Sequence, residues 1–146
     1  MLVVALMAAS SFGVYRTVFD GRFRGTRSVR AADPYESTAG KQGLSVLEGS
    51  GFAQELGERA TLLQFSSAFC APCRATRRIL GDVAQVVPGV VHLEVDAEQH
   101  LELVRRLGIL RTPTTVILDR NGAEVSRASG APRKEQVLAT LAEALG

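Results

Sequence analysis

Apolar and polar positions follow three different rhythms along this chain. Residues 1–19, MLVVALMAASSFGVYRTVF, form an almost unbroken apolar stretch with one charged side chain, Arg16, and no polar face. Residues 20–43 are rich in Gly, Ser, Arg and other small residues, and show neither helical nor alternating periodicity. They read as a flexible linker. From Leu44 onward the pattern becomes regular. Short apolar runs at Thr61–Ser66 and Val90–Val95 have the β-branched and aromatic content of strands buried on both faces. Between them the sequence from Cys70 to Val87 sets Ile79, Leu80, Val83, Ala84 and Val87 on one helical face and stops at Pro88-Gly89. A second helix is expected after Asp96, with Asp96 as N-cap, a stripe of Leu101, Val104 and Leu107, and Gly108 as its stop. Thr114–Asp119 and Ala123–Ser129 read as a hairpin closed by Asn121-Gly122. Pro132 then opens a helix carrying Val137, Leu138, Leu141 and Leu145. A weaker helical stretch around Phe52–Leu56 precedes this βαβαββα order. Such elements bury best as an α/β sheet with helices on both faces.

Three segments follow: an anchor over 1–19, a linker over 20–43 and a folded domain over 44–146. At ~1.5 Å per residue, 19 helical residues reach about 28 Å against roughly 30 Å of hydrocarbon, so residues 1–19 span a membrane if Arg16 snorkels to its edge. A cleaved signal peptide fits less well. No Lys or Arg precedes the apolar run, and the small residues at Ala8–Ser11 would leave too short an apolar core. A buried helix fits less well too, since it would pack a domain with no polar side. Arg16, Arg22, Arg24, Arg27 and Arg30 all follow the apolar run, and the positive-inside tendency then places the domain in the cytoplasm of a single-pass membrane protein. A start site further upstream would reverse that, so an extracytoplasmic domain is the alternative.

The composition narrows the function. With 46% apolar residues the 146-residue chain can bury a real core, and two cysteines are too few for a disulfide scaffold. The isoelectric point of 8.8 comes from the arginines near the N-terminus. Residues 31–146 carry 12 basic and 14 acidic side chains and no nucleic-acid-reading motif, so no nucleic-acid partner is expected.

The two cysteines stand in AFCAPCRAT, Ala68–Thr76, between a strand and a helix. Cys70 falls at the helix N-terminus, where free N–H groups and the helix dipole favour an anion. Pro72 suits the first turn, which needs no donor from it. Lowering a thiol pKa from about 8.5 to about 7 takes roughly 2 kcal/mol, within reach of such a site, and Arg74 and Arg77 add positive charge. Zinc would need His92 and His100 as further ligands, at spacings unlike zinc fingers, and a c-type haem site would need His after Cys73, where Arg74 stands. No metal is expected. Redox chemistry is the strongest remaining reading.

With these motifs in order, residues from about Leu44 to Gly146 resemble the thioredoxin family. FCAPC stands where that family has an aromatic residue and Cys-Gly-Pro-Cys; GILRTPTTVIL is similar to its cis-proline segment, with Pro113 as the proline and Thr112 before it; Gly130 matches the glycine beside the substrate groove. The resemblance implies a thioredoxin-like fold, a central mixed β-sheet flanked by helices, here preceded by one transmembrane helix. It implies a redox-active disulfide between Cys70 and Cys73 and no other cofactor. Cys70 would attack a substrate disulfide and Cys73 would resolve the mixed disulfide, while Phe69, Ala71, Pro72, Thr112, Pro113 and Gly130 would line the surface for protein substrates. An electron donor or acceptor, which the sequence does not name, would complete the cycle.

The chain departs from the family at three places. Gln64 occupies the strand position of a buried aspartate credited with proton transfer at the resolving cysteine, and an amide cannot take that role. His92 aligns with the lysine that faces this aspartate. No tryptophan is present, so Ser66 and Phe69 replace the usual indoles. Proton transfer at Cys73 is then expected to use water or His92. The function expected is a membrane-tethered thiol-disulfide oxidoreductase of the protein disulfide reductase type. A tethered binding module, for metal delivery or redox sensing, is the alternative.

Overall fold

A computed structural model describes residues 7, 10–13, 15, 21–25 and 45–146. Among the described residues five strands form one sheet in the order β1-β5-β4-β2-β3: β1 is Phe23–Gly25, β2 Ala60–Ser66, β3 Val90–Asp96, β4 Thr114–Asp119 and β5 Glu124–Ser129. The sheet is mixed. β2 and β3 run parallel, while β2–β4, β4–β5 and β1–β5 are antiparallel pairs. The parallel pair requires a crossover, and helix α1, Ala71–Val86, supplies it. Helices α2, Leu101–Arg106, and α3, Lys134–Leu145, complete the fold.

Period-two alternation divides the core between the two faces. Leu63, Phe65, Val116 and Leu118 point to one side and pack with Leu93, Val95, Leu103, Leu107 and Leu47. Leu62 and Ile117 point to the other and pack with Leu80 and Val83 of α1 and Val137 and Leu141 of α3. Each fully buried leucine or valine contributes roughly 1.5–3 kcal/mol, and all seven residues of β2 are buried. This makes β2 the rigid strand from which the cysteine loop departs.

Several local expectations change. Phe52–Leu56 is not helical: residues 46–54 run as successive tight turns, with Ser50 N–H bonded to the Leu47 carbonyl and Glu55 N–H to that of Phe52. Gly49 and Gly51 interrupt any longer helix there. In α2 it is Leu103, 4% exposed, that enters the core, whereas Leu101 is 50% exposed. The helix starts one turn later than Asp96 implied, with His100 at its N-cap; Asp96 instead accepts the N–H of Glu98 and the amide of Gln99, both at 2.9 Å. Within residues 20–43, expected to be linker throughout, Phe23–Gly25 is an edge strand of the sheet.

Met7, residues 10–13 and Tyr15 are helical and exposed. Most of the membrane span expected over 1–19 lies outside the described residues, as does most of the linker. Among the described residues no helix is long and apolar enough to cross a membrane.

Candidate active site

β2 ends at Ser66, and the loop Ser67–Cys70 turns the chain into α1. Cys70 is the N-cap, with extended backbone (φ −101°, ψ 98°), and Pro72 sits in the first turn, where its missing N–H costs nothing. Cys70 and Cys73 are joined as a disulfide, with Cα atoms 5.2 Å apart. The N–H of Cys73 donates to Cys70 Sγ at 3.1 Å. One of the free N–H groups of the first turn of α1 therefore points at the first sulfur, a position that favours a thiolate once the pair is reduced. Cys70 is partly exposed; Cys73 is 1% exposed.

Beneath Cys73 lies a polar network. Gln64, fully buried in β2, donates from Nε2 to the Cys73 carbonyl at 3.0 Å, and its Oε1 lies 3.1 Å from His92 Nε2. The carbonyl can only accept, which fixes the amide orientation, so His92 Nε2 must carry the hydrogen that Gln64 Oε1 accepts. Burial pushes the His92 imidazole below its ordinary pKa; Glu94 opposes this and Arg77 reinforces it. His92 thus reaches the backbone of Cys73 through an amide that cannot relay a proton.

A carboxylate stands two residues beyond His92 on β3, opposite Gln64. Glu94 accepts from Arg77 at 2.5 and 2.7 Å and from Ser66 Oγ at 2.6 Å. Burial alone would raise the Glu94 carboxyl, but the hydrogen bonds from Arg77 and Ser66 and the charge of Arg77 outweigh it and hold the group below its ordinary value. Ser66, Ser67, Cys70, Cys73, Arg74 and Glu94 line an open cleft of about 330 Å³, with Arg77 and Asp96 at its wall. The arginine charges divide here: Arg77 is committed to Glu94, and Arg74 is exposed at the helix start.

On the other side of Cys70, Thr112-Pro113 is a cis peptide bond. Ser67 Oγ lies 3.1 Å from Thr112 Oγ1, tying the cysteine loop to the proline loop, and the N–H of Gly130 donates to the Pro113 carbonyl at 2.8 Å. Gly130 has φ +93°, open to glycine at little cost. Phe69 is 100% and Leu110 96% exposed. Ala71 and Pro72 are exposed at the first turn. The residues expected around the cysteines thus gather at one end of the sheet, while the histidines do not join them as ligands: His92 engages Gln64, and His100 packs edge-on against Phe52 at 4.9 Å.

The family model described as thioredoxin matches residues 43–143. The chain belongs to the thioredoxin family. An H-type thioredoxin of Oryza sativa subsp. indica is 29% identical over 94 residues, which cover 64% of this chain and 75% of that one. A thioredoxin of Alicyclobacillus acidocaldarius is 31% identical over 90 residues, covering 61% and 85%. Among solved structures, spinach chloroplast thioredoxin f superposes with a TM-score of 0.58 at 23% identity, covering 70% of this chain and 91% of that one. Fasciola hepatica thioredoxin gives 0.55 at 27%, covering 63% and 86%.

Family membership and the joined cysteine pair make this chain a thiol-disulfide oxidoreductase. Sequence reasoning missed two features of its site. Glu94 stands between the buried Leu93 and Val95, a signal that a half-buried charge has a partner. Leu110 precedes the proline loop without belonging to either helical or strand pattern, and its exposure follows from that position.

Proposed function

We propose that the chain reduces protein disulfides from a membrane-tethered position, with Cys70 as nucleophile and Cys73 as resolving thiol. Starting from the dithiol, the Cys70 thiolate attacks one sulfur of the substrate disulfide. The substrate S–S bond breaks, a mixed disulfide forms, and the departing substrate sulfur takes up a proton. Cys73 then loses its proton and attacks Cys70, the second substrate thiol leaves, and two electrons have passed from the chain to the substrate. A dithiol donor of another protein returns the chain to its reduced form. No bound cofactor enters this scheme.

The observation that carries this reading is the unequal exposure of the two sulfurs at one helix N-terminus: Cys70 is reachable by a substrate, Cys73 is not. Phe69, Ala71, Pro72, Thr112, Pro113 and Gly130 surround Cys70 and suit an extended polypeptide. Water in the open cleft is the proton carrier for Cys73, since the His92 nitrogen nearest the site is engaged by Gln64. Residues 1–19 supply the anchor, and the arginines that follow them favour a cytoplasmic domain over an extracytoplasmic one.

The test is trapping. A Cys73→Ser variant, reduced and then offered disulfide-containing proteins, is expected to accumulate mixed disulfides through Cys70 that dithiothreitol releases. Absence of adducts, together with no reduction of insulin by the unaltered chain, would favour the binding-module alternative.

A further inference from the structure

β1 determines where the N-terminal apolar stretch joins the domain. Phe23 lies opposite Ala128, Arg24 opposite Arg127 and Gly25 opposite Ser126, and upstream of them the N–H of Gly21 donates to the Ser129 carbonyl at 2.8 Å. β5 runs toward the cysteines: its last residue, Ser129, is followed by Gly130, bonded to Pro113. A strand antiparallel to β5 therefore starts at the cysteine end of the sheet and runs away from it. Gly21 sits one residue from the groove glycine.

The seat is made for glycine. Gly21 has φ +75°, and a Cβ there would come 2.1 Å from the Ala131 carbonyl oxygen. Downstream, the next described segment after Gly25 starts at Ser45, beside the β4–β5 turn, where Val46 N–H donates to the Gly122 carbonyl at 2.9 Å. Gly25 and Ser45 thus both stand away from the cysteines, and Gly21 stands beside them.

The stretch between the apolar segment and Gly21 is short. Only Asp20 separates the apolar stretch ending at Phe19 from Gly21, about 7 Å of extended chain. That is small beside a domain whose radius of gyration is about 13 Å for 100 residues. An anchor in residues 1–19 must then draw the cysteine end, not the far end, toward the lipid. The same end presents Phe69 and Leu110, the two most exposed large apolar side chains among the described residues.

Resting on the anchored reading above, we propose that the cysteine end faces the membrane surface and that the substrates are disulfides of integral membrane proteins lying at the lipid–water boundary. The exchange is the one written above. Phe69 and Leu110 meet the apolar margin of such a substrate, and disulfides far above the membrane plane are out of reach while β1 is seated.

The full chain in phosphatidylcholine–phosphatidylglycerol vesicles tests this. A bimane label is placed on Cys70 in a Cys73→Ser chain, or at the exposed Asn121 of the far turn in a Cys70→Ser, Cys73→Ser, Asn121→Cys chain. Headgroup-bound nitroxide lipid is expected to quench the Cys70 label at least twofold more than the label at residue 121. Gly21→Val, which unseats β1, or an eight-residue Gly/Ser insertion between Asp20 and Gly21, which leaves the seat intact, is expected to erase the difference while the chain still floats with the vesicles. Vesicle-bound chain with equal or inverted quenching overturns the orientation and leaves the anchored reading standing. Failure to float overturns the anchored reading, and the orientation with it.

Discussion

Gln64 holds the main-chain carbonyl of Cys73, not its sulfur: the amide nitrogen donates to that oxygen at 3.0 Å from inside β2. Replacing the amide by a carboxylate therefore changes two things at once. Gln64→Asp removes that donor and puts a carboxyl in a fully buried strand position, at a cost of about 1–3 kcal/mol. It also restores an acid near Cys73. Urea titration should show the stability loss, and the pH dependence of insulin reduction should shift with a faster resolving step. An unchanged pH profile and rate would mean that Gln64 was not the limiting difference from other thioredoxins.

His92 gives the fold a pH dependence of defined sign. Its folded pKa is lowered by burial, so on acidification the unfolded chain takes up the proton first. The stability held by neutral His92 is present above the ordinary histidine range and is lost as pH falls below about 6.5 toward the lowered value. Glu94 acts in a lower window: its depressed pKa contributes stability above the ordinary carboxyl range, lost only as pH falls through the depressed value. Unfolding free energies at pH 7.5 and pH 5.5 should therefore differ less in His92→Gln than in the unaltered chain. An equal difference would exclude His92 as the source.

Arg77 and Glu94 share the cleft wall with both cysteines. Their pair is open to water on the arginine side, which limits its worth to stability to about 0–1 kcal/mol. Glu94→Gln removes a negative charge from the cleft that holds the sulfurs and frees the guanidinium, so the Cys70 thiolate should form at lower pH. Arg77→Ala should act in the opposite direction. Absorbance of the reduced chain at 240 nm against pH reads both shifts, and both should shrink in 1 M salt.

The way these residues are distributed explains what the sequence disclosed. β2, β3 and β4 were legible because their apolar runs are local, and the β4–β5 hairpin because Asn121-Gly122 names its own turn: Gly122 has φ +77° and Asp119 Oδ1 accepts the N–H groups of Asn121 and Ala123. The cysteine helix was legible for the same reason. β1 was not, since Phe-Arg-Gly has no periodicity of its own and gains strand geometry only from β5, far along the chain. The Arg77–Glu94–Ser66 cluster joins a helix to two strands and leaves no mark at any single spacing. Leu101 and Leu103 could not be told apart, because a helix as short as α2 offers too few turns to define a face.

Thr115 faces Gln64 across the β2–β4 pair and is fully buried. Its hydroxyl has no hydrogen-bond partner among the described residues. Thr115→Val keeps the branched shape and removes the unpaired group, so the variant should be more stable by about 1 kcal/mol. Thermal unfolding should register an upward shift of a few degrees. A loss of stability would show that the hydroxyl is satisfied in solution, most simply by a water reaching it beside Gln64.

Phe69 separates binding from folding. A fully exposed ring packs against nothing in its own chain, so Phe69→Ser should change stability by no more than about 0.5 kcal/mol. Its position immediately before Cys70 places it against any polypeptide whose disulfide is being attacked. The lost apolar contact, worth roughly 1.5–3 kcal/mol when fully buried, should then appear in KM for a protein disulfide. A small disulfide such as oxidised dithiothreitol, too short to reach the ring, should be exchanged at an unaltered rate. If both substrates slow equally, Phe69 acts on the cysteine loop itself and not on the bound protein.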